Sequence, residues 1–197
     1  MDMTTLFESA KTHLLANGDY PPTLWVEFTD AAGQEHMGLY TFAEFGAESA
    51  LAEQQSFFAH GAEFGREHGR GVDISSLTLI SEAWVSHVKH GEYKAFKHTY
   101  GRPEHDPRRR EYLIAYIITL EPQPSGKPAI KQRVERAEIV RPAAGIIDLV
   151  QEPAEDDHGK MRMSLPMYWL AGCMFETRLT EQQQALVAGM MEKGQGR

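Results

Sequence analysis

The chain has 197 residues, of which 42% are hydrophobic and 24% are charged, and this composition is typical of one globular domain. Since roughly 70% of the surface of a chain this long can be buried on folding, the core needs neither a structural metal nor a disulfide. The single cysteine, Cys173, excludes an intramolecular disulfide, and the net charge of −8 disfavours non-specific nucleic-acid binding by the molecule as a whole.

The sequence lacks the patterns that are typical of secretion and membrane insertion. Residues 1–5 do not have the basic start and apolar core of a signal peptide. The mostly apolar run from Tyr112 to Leu120 is less than half of the roughly 20 residues that a membrane-spanning helix needs. We therefore expect a soluble cytoplasmic protein without membrane contacts, and the single cysteine agrees with a reducing compartment.

The N-terminal part of the chain predicts a helix followed by a β-hairpin. Residues 5–17 have the periodicity of an amphipathic helix, and Thr5 and Glu8 have capping-box spacing at its start. Residues 23–29 alternate apolar and polar side chains, turn residues follow, and residues 36–42 supply the returning strand. The apolar stripe of the helix consists of Leu6, Phe7, Ala10 and Leu14.

Residues 43–68 change to helical periodicity, and small side chains dominate the apolar stripe of this helix. The stripe consists of Ala47, Ala50, Leu51, Gln54, Phe58, Gly61, Ala62 and Gly65. Small side chains allow a close approach, so we expect this helix to lie against a sheet.

The second half of the chain predicts three strands, at residues 74–88, 110–121 and 129–140. The connection between the first two has about 20 residues, which is long for a hairpin and indicates a functional or mobile insertion. Further on, Pro166 to Phe175 is apolar nearly all round, and its periodicity does not distinguish a buried helix from a buried strand. A last helix is expected from Thr180 to Met191.

This order of elements predicts a single α+β domain over residues 1–197. Consecutive strands with short links pair antiparallel, so the sheet is expected to be largely antiparallel, with an N-terminal hairpin and a three-stranded meander. We expect the helices to pack on one face of this sheet. The other face must then meet water, a ligand or another subunit.

Glu82 is the candidate for acid–base chemistry. It alternates with Ile80 and Trp84 in the strand, so the three side chains are expected on one face. A carboxylate between two large apolar groups has its charged form disfavoured, which raises its pKa. The alternative is a structural charge that an arginine on a neighbouring strand neutralises, with Arg110, Arg133 and Arg136 as the candidates.

A basic segment follows this strand. Between Ser86 and Arg110 the chain has seven Lys and Arg residues against three acids, a local excess of +4. Its aromatic side chains, Tyr93, Phe96 and Tyr100, interleave with Lys94, Lys97 and Arg102. Aromatic rings that stack on bases, beside cations that meet phosphates, are what a single-stranded nucleic-acid site needs. The alternative is a solvated basic loop that folds back on the acidic remainder of the protein or of a second subunit.

The nine histidines do not predict a metal site. His60, Glu63 and Glu67 are three and four residues apart on one predicted helix, but the zinc pattern of two histidines four apart around a glutamate is missing. The sequence also lacks a Walker phosphate loop, a dinucleotide glycine fingerprint and a nucleophile-elbow serine. We therefore predict neither a metal nor a cofactor.

Two stretches resemble a family of bacterial and phage-type proteins of uncharacterised activity. They are SEAWVSH, at residues 81–87, and DPRRREYLIAY, at residues 106–116. The resemblance implies a shared strand–loop–strand core and no particular chemistry. It groups five residues as a candidate site: Glu82, Trp84, Asp106, Arg108 and Arg110.

Three functions are compatible with these patterns. The first is a non-enzymatic binding or assembly protein that self-associates as a homo-oligomer, which the large apolar side chains of Met167 to Phe175 suggest. The second is a small hydrolase-like or ligand-processing enzyme that uses Glu82 with Arg108 or Arg110. The third is binding of nucleic acid or another polyanion through the basic segment. The binding candidates are Trp84, Arg108, Arg110, Lys94, Lys97 and Tyr100.

Overall fold

A computed structural model describes most of the chain, namely residues 3–42, 54–68, 73–101, 103–121, 129–153, 155–156 and 165–176. The helices in these ranges are α1 (Met3–Asn17), α2 (Gln54–His68), α3 (Tyr93–Thr99) and α4 (Leu165–Glu176). The strands are β1 (Thr23–Thr29), β2 (Glu35–Thr41), β3 (Asp73–Val85), β4 (Arg110–Glu121), β5 (Ala129–Ala143), β6 (Ile146–Gln151) and β7 (Glu155–Asp156).

The strands form one mostly antiparallel sheet, and the fold is α+β. The strand order is β2-β1-β3-β4-β5-β6, and β7 pairs with β5. β1 and β2 form the predicted antiparallel pair, with Trp25 opposite Leu39. Their turn is held by Asp30, whose Oδ1 accepts hydrogen bonds from the backbone N–H groups of Ala32 and Gln34. β3 and β4 are neighbours in the sheet, so the two predicted strands lie side by side.

The predicted end of the meander is wrong, because the sheet continues beyond Val140. β5 extends to Ala143 and a tight turn leads into β6, which the sequence did not predict. The register shifts between Val140 and Ala143, and this irregularity accommodates Pro142, which has no N–H group for a regular ladder. Gly145 completes the turn with a φ of +77°, a conformation that favours glycine.

Three further expectations need correction or completion. α1 begins at Met3, so Thr5 and Glu8 lie inside the helix and do not cap its start. The connection predicted as a loop at residues 88–109 contains α3 and two short 3₁₀ turns. The undecided segment at Pro166 to Phe175 is helical, in α4. The helix predicted from Thr180 lies outside the described residues.

The chain divides into two compact units, each of which combines three segments. The first unit comprises Met1–Pro22, Ile80–Ala115 and Val134–Glu155, and the second comprises Thr23–Leu79, Tyr116–Arg133 and Asp156–Arg197. In the first unit the predicted stripe of α1 is buried, as Leu6, Phe7, Ala10 and Leu14 each expose 2% or less. The prediction of a single domain stays a prediction.

The second unit contains a close packing of α2 against α4. A Cβ atom added at Gly61 would overlap the carbonyl oxygen of Trp169, and one added at Gly65 would overlap that of Cys173. The rings of Phe42, Phe64 and Trp169 meet at centroid distances of 5.2–5.9 Å beside this contact. The small side chains of α2 therefore allow a close approach to a helix, whereas the sequence suggested a sheet.

Several apolar side chains in the middle of α4 are buried within the chain. Trp169, Leu170, Cys173 and Met174 each expose 7% or less. Burial raises the pKa of the Cys173 thiol to about 12, which keeps it protonated and unreactive at neutral pH. The longest helices in the described ranges have 15 residues, and none is long and apolar enough to cross a membrane.

Candidate functional site

Three neighbouring strands of the first unit contribute one charged residue each to a single cluster. These residues are Glu82 on β3, Glu111 on β4 and Arg141 on β5. Arg141 donates from Nε to Glu111 Oε2 at 3.0 Å and from Nη2 to Glu111 Oε1 at 2.9 Å, a bidentate geometry. Its Nη2 also lies 3.6 Å from Glu82 Oε2. The guanidinium group of Arg141 therefore contacts the carboxylates of both Glu111 and Glu82.

The segment that follows α1 is tied to this cluster through main-chain atoms. The backbone N–H of Tyr20 donates to Glu82 Oε1, and Arg141 Nη1 donates to the carbonyl oxygen of Gly18 at 3.2 Å. Gly18 has a φ of +89° and ends α1 with a hydrogen bond from its N–H to the Leu14 carbonyl. The end of α1 at Gly18 therefore places one backbone acceptor at Arg141 and one backbone donor at Glu82.

Burial raises the pKa of Glu82, whose side chain is 21% exposed. Glu111 raises this pKa further through its hydrogen bond and its charge, whereas the Tyr20 N–H and Arg141 act in the opposite direction. The raised direction of the Glu82 pKa agrees with the sequence argument. The contribution of Glu111 was not predicted, because the alternation within β3 does not show which residue of β4 lies beside Glu82.

The arginines predicted beside Glu82 have other partners. Arg108 Nε donates to Asp106 Oδ1 at 3.1 Å, and Arg110 Nη1 donates to Glu138 Oε2 at 3.0 Å. The arginine at Glu82 is Arg141, which sequence reasoning missed because the predicted strand ended one residue before it. No alternation pointed to Arg141, because the apolar pair Ile139 and Val140 precedes it and Pro142 follows it.

An open cleft of about 530 Å³ lies beside Arg141. The end of α1 lines one part of it through Leu15 and Gly18, and the turn between β5 and β6 lines another through Ile146. The cluster and the cleft therefore share one residue, which is the arginine that holds the two carboxylates.

Replacing Glu82 with glutamine is expected to reduce the pH dependence of stability. Because the pKa of Glu82 is raised in the fold, its contribution is fully present below the unfolded pKa, about 4.3, and is lost as the pH rises through the folded value. E82Q should therefore be more stable than the wild type at pH 8, by up to about 1 kcal/mol after solvent screening, and no more stable at pH 4.

Urea denaturation at both pH values measures this difference. Glu138→Gln is the matched control, since it removes an attraction to Arg110 and should not stabilise the protein at pH 8. Loss of stability in E82Q at pH 8 would contradict the assigned direction of the Glu82 pKa.

The basic segment presents most of its cations to solvent. Lys89, Lys94, Lys97, Arg108, Arg109 and Arg110 are exposed, while Arg102 lies outside the described residues. Trp84 is also exposed, at 43%, and Arg109 places its guanidinium carbon 4.7 Å from the centroid of the indole. Tyr100, another predicted binding residue, is half-buried and packs its ring on the buried Phe96 at a centroid distance of 5.6 Å.

Asp106 anchors the end of the basic segment. It is 1% exposed and accepts hydrogen bonds at Oδ1 from the backbone N–H and the Nε of Arg108. These bonds hold the pKa of Asp106 below its usual value. The Asp-Pro sequence therefore forms the expected turn, and its carboxylate has a structural role.

A polar network on β4 and β5 was not predicted. The hydroxyl of Tyr112 donates to Glu152 Oε1 at 3.0 Å and lies 3.4 Å from His87 Nε2, and Arg136 donates to the other oxygen of Glu152. Burial and Glu152 raise the pKa of Tyr112, which is fully buried. This network has no exposed tyrosine hydroxyl for a substrate, and we assign it a structural role.

Neither the described histidines nor the comparisons add a site. In the parts of the chain that the structure describes, no three His, Cys, Asp or Glu side chains are grouped as metal ligands would be. Comparison of the chain with protein-family models, curated proteins and solved structures gave no match. The function must therefore be argued from the residues themselves.

Proposed function

We propose that the protein is a non-enzymatic binding protein whose ligand is a polyanion, single-stranded nucleic acid in particular, held by the basic segment and Trp84. The observation that carries this proposal is the exposed indole of Trp84 with the guanidinium of Arg109 above its face. A large aromatic ring that is 43% exposed beside a surplus of cations is suited to a ligand that has both planar and anionic groups.

The local charge balance favours an anionic ligand. Two of the arginines have carboxylate partners, since Arg108 pairs with Asp106 and Arg110 pairs with Glu138. The cations outside these pairs are Lys89, Lys94, Lys97 and Arg109, and the exposed acids of the segment are Glu92 and Glu104. The segment therefore keeps a positive excess although the whole chain is acidic, and a phosphate backbone is attracted to such an excess.

The geometry of Trp84 and Arg109 suits stacking on bases. Indole and guanidinium are both planar, and nucleic-acid bases stack on either group. Arg109 can also turn towards a phosphate, which leaves the face of the indole free for a base. Both arrangements use the same two side chains, so they predict the same effect of mutation.

The alternatives have less support. Self-association was suggested through an exposed sheet face or through the apolar segment in α4, and of that segment the side chains Trp169, Leu170 and Met174 are buried within the chain. A ligand-processing site was suggested by Glu82 with Arg108 or Arg110, and these arginines pair with other carboxylates. Neither alternative has an exposed aromatic and cationic surface to favour it.

Replacing Trp84 with alanine is expected to weaken binding of a fluorescent single-stranded oligonucleotide about tenfold, because stacking contributes about 1–3 kcal/mol per base. Replacing Lys94 and Lys97 with glutamate should weaken binding further and lower its dependence on salt concentration. Fluorescence anisotropy at several salt concentrations measures both effects, with single-stranded DNA and RNA as separate probes.

Two matched variants control this experiment. Lys131→Glu reverses an exposed lysine outside the basic segment, and Leu39→Ala removes an exposed apolar side chain outside it. Both should bind as the wild type does. The proposal fails if the wild type shows no salt-dependent binding, or if K94E/K97E and K131E lose the same affinity. Equal binding of anionic vesicles and oligonucleotides would indicate a membrane surface as the partner and would also overturn it.

A further inference from the structure

Two pairs of contacting side chains follow one another along β3 and β4 in the first unit. Trp84 on β3 contacts Arg109, which directly precedes β4, and Glu82 on β3 contacts Glu111 on β4. Each member of the second pair is two residues from a member of the first, and residues two apart in a strand have their side chains on one face. The carboxylate pair is therefore about 7 Å along the strands from the indole that the proposed function assigns to base stacking.

The carboxylate of Glu82 has capacity for further hydrogen-bond donors. Its Oε1 accepts the Tyr20 N–H, and its Oε2 is 3.6 Å from Arg141 Nη2, which is longer than a hydrogen bond. Arg141 instead donates twice to Glu111. An ionised carboxylate has about four lone-pair sites, and the Glu82 side chain is 21% exposed. With two carboxylates and one guanidinium, the cluster has one negative charge in excess, which favours a ligand edge that carries N–H donors.

We infer that the base stacked on Trp84 is guanine, and that Glu82 accepts hydrogen bonds from its N1–H and amino groups. This inference rests on the proposed function and adds the identity of the base. The two donors of guanine are adjacent on its Watson–Crick edge, which single strands leave open to proteins, so they match the two oxygens of a carboxylate. Uracil and thymine have one N–H between two carbonyl oxygens, which a carboxylate repels. Adenine and cytosine have one amino group beside a ring nitrogen that is an acceptor.

Oligouridine strands that differ at one central nucleotide test the inference. Fluorescence anisotropy at pH 8, which favours the ionised carboxylate, compares an all-uridine strand with strands that have a central guanosine or a central adenosine. The wild type should bind the guanosine strand at least about fivefold more tightly than the all-uridine strand, because a bidentate contact to a base edge discriminates by at least that factor. The adenosine strand controls for purine stacking and should bind more weakly than the guanosine strand.

Replacing Glu82 with glutamine should lower the preference for guanosine over uridine to less than about twofold, because only one of the two side-chain oxygens remains. Glu138→Gln is the matched control. It makes the same change of charge at a glutamate that also contacts an arginine and is 23% exposed. E138Q should keep the wild-type preference. A purely structural role of Glu82 would change the affinity for both strands alike and leave their ratio unchanged.

The outcomes separate this inference from the proposed function. Equal affinity of the wild type for the guanosine strand and either other strand would overturn the inference alone, and so would an equal preference in E82Q and E138Q. Absence of binding to every strand, or unchanged binding in W84A, would overturn the proposed function and the inference with it. Binding of the all-uridine strand by E82Q shows that the variant is folded, so a lost preference is not a loss of structure.

Discussion

Replacing both Gly61 and Gly65 with alanine is expected to lower the free energy of unfolding by about 3 kcal/mol or to prevent folding. Each new Cβ would overlap a backbone carbonyl of α4, at Trp169 and at Cys173, and a backbone atom within a helix cannot move aside as a side chain can. Overpacking of this kind costs about 1–3 kcal/mol at one site. The gain in helix propensity from glycine to alanine, about 1 kcal/mol per site, offsets only part of it.

Chemical denaturation followed by circular dichroism measures this effect. Gly91→Ala is the matched control, because a Cβ at Gly91 would have nothing within 4 Å and the residue does not have a positive φ. It should leave stability within about 0.5 kcal/mol of the wild type. Equal stability of G61A/G65A and G91A would mean that α2 and α4 do not pack backbone to backbone.

Replacing Arg141 with glutamine is expected to destabilise the protein by about 2 kcal/mol at pH 8 and much less at pH 4. Without the guanidinium, Glu82 and Glu111 face each other as like charges, and Glu82 keeps the hydrogen bond from the Tyr20 N–H. Removing one partner of a fully buried ion pair costs about 3–5 kcal/mol, and the cost here is smaller because the cluster is partly solvated.

The sign of the pH dependence follows from the raised pKa of Glu82. Loss of Arg141 removes an influence that lowers this pKa, so the folded value rises further. The folded protein then favours the protonated carboxyl, and stability is lost as the pH rises above the unfolded value of about 4.3. Adding E82Q to R141Q should restore part of the stability at pH 8, because one of the two opposed charges is gone.

Arg110→Gln is the matched control for Arg141→Gln. Arg110 also lies on a strand of the sheet and also pairs with a glutamate, Glu138, but its side chain is 54% exposed. Its loss should cost less than about 1 kcal/mol. Thermal or urea unfolding of both variants at pH 4 and pH 8 gives the comparison. A pH-independent effect of R141Q would contradict the shared role of Arg141.

The sequence predicted those parts of the fold that depend on local periodicity. The apolar stripe of α1, the pairing partners β1 and β2, and the placement of Glu82 on a strand beside β4 all follow from alternation or helical spacing within one segment. Burial, which was the expected cause, is also the largest cause of the raised pKa of Glu82. Each of these inferences needed only residues that are close in the chain.

The parts that were missed depend on register and on contacts between distant segments. The predicted strand ended at Val140, whereas β5 continues through Arg141 and past Pro142 with a shift in register. Which residue of β4 lies beside Glu82 depends on the strand register, which a single sequence does not reveal. Gly61 and Gly65 indicated a close approach correctly, but the identity of the partner as α4 is a long-range property of the fold.

The bonds at Gly18 and Tyr20 have a consequence for how this region tolerates change. The Tyr20 N–H donates to Glu82, and the Gly18 carbonyl accepts from Arg141. Both are main-chain groups, so these hydrogen bonds do not depend on which side chain residue 20 has. Substitutions at this position therefore keep both main-chain hydrogen bonds and remove only the edge contact between the rings of Tyr20 and His13, with proline as the exception because it has no amide hydrogen to donate.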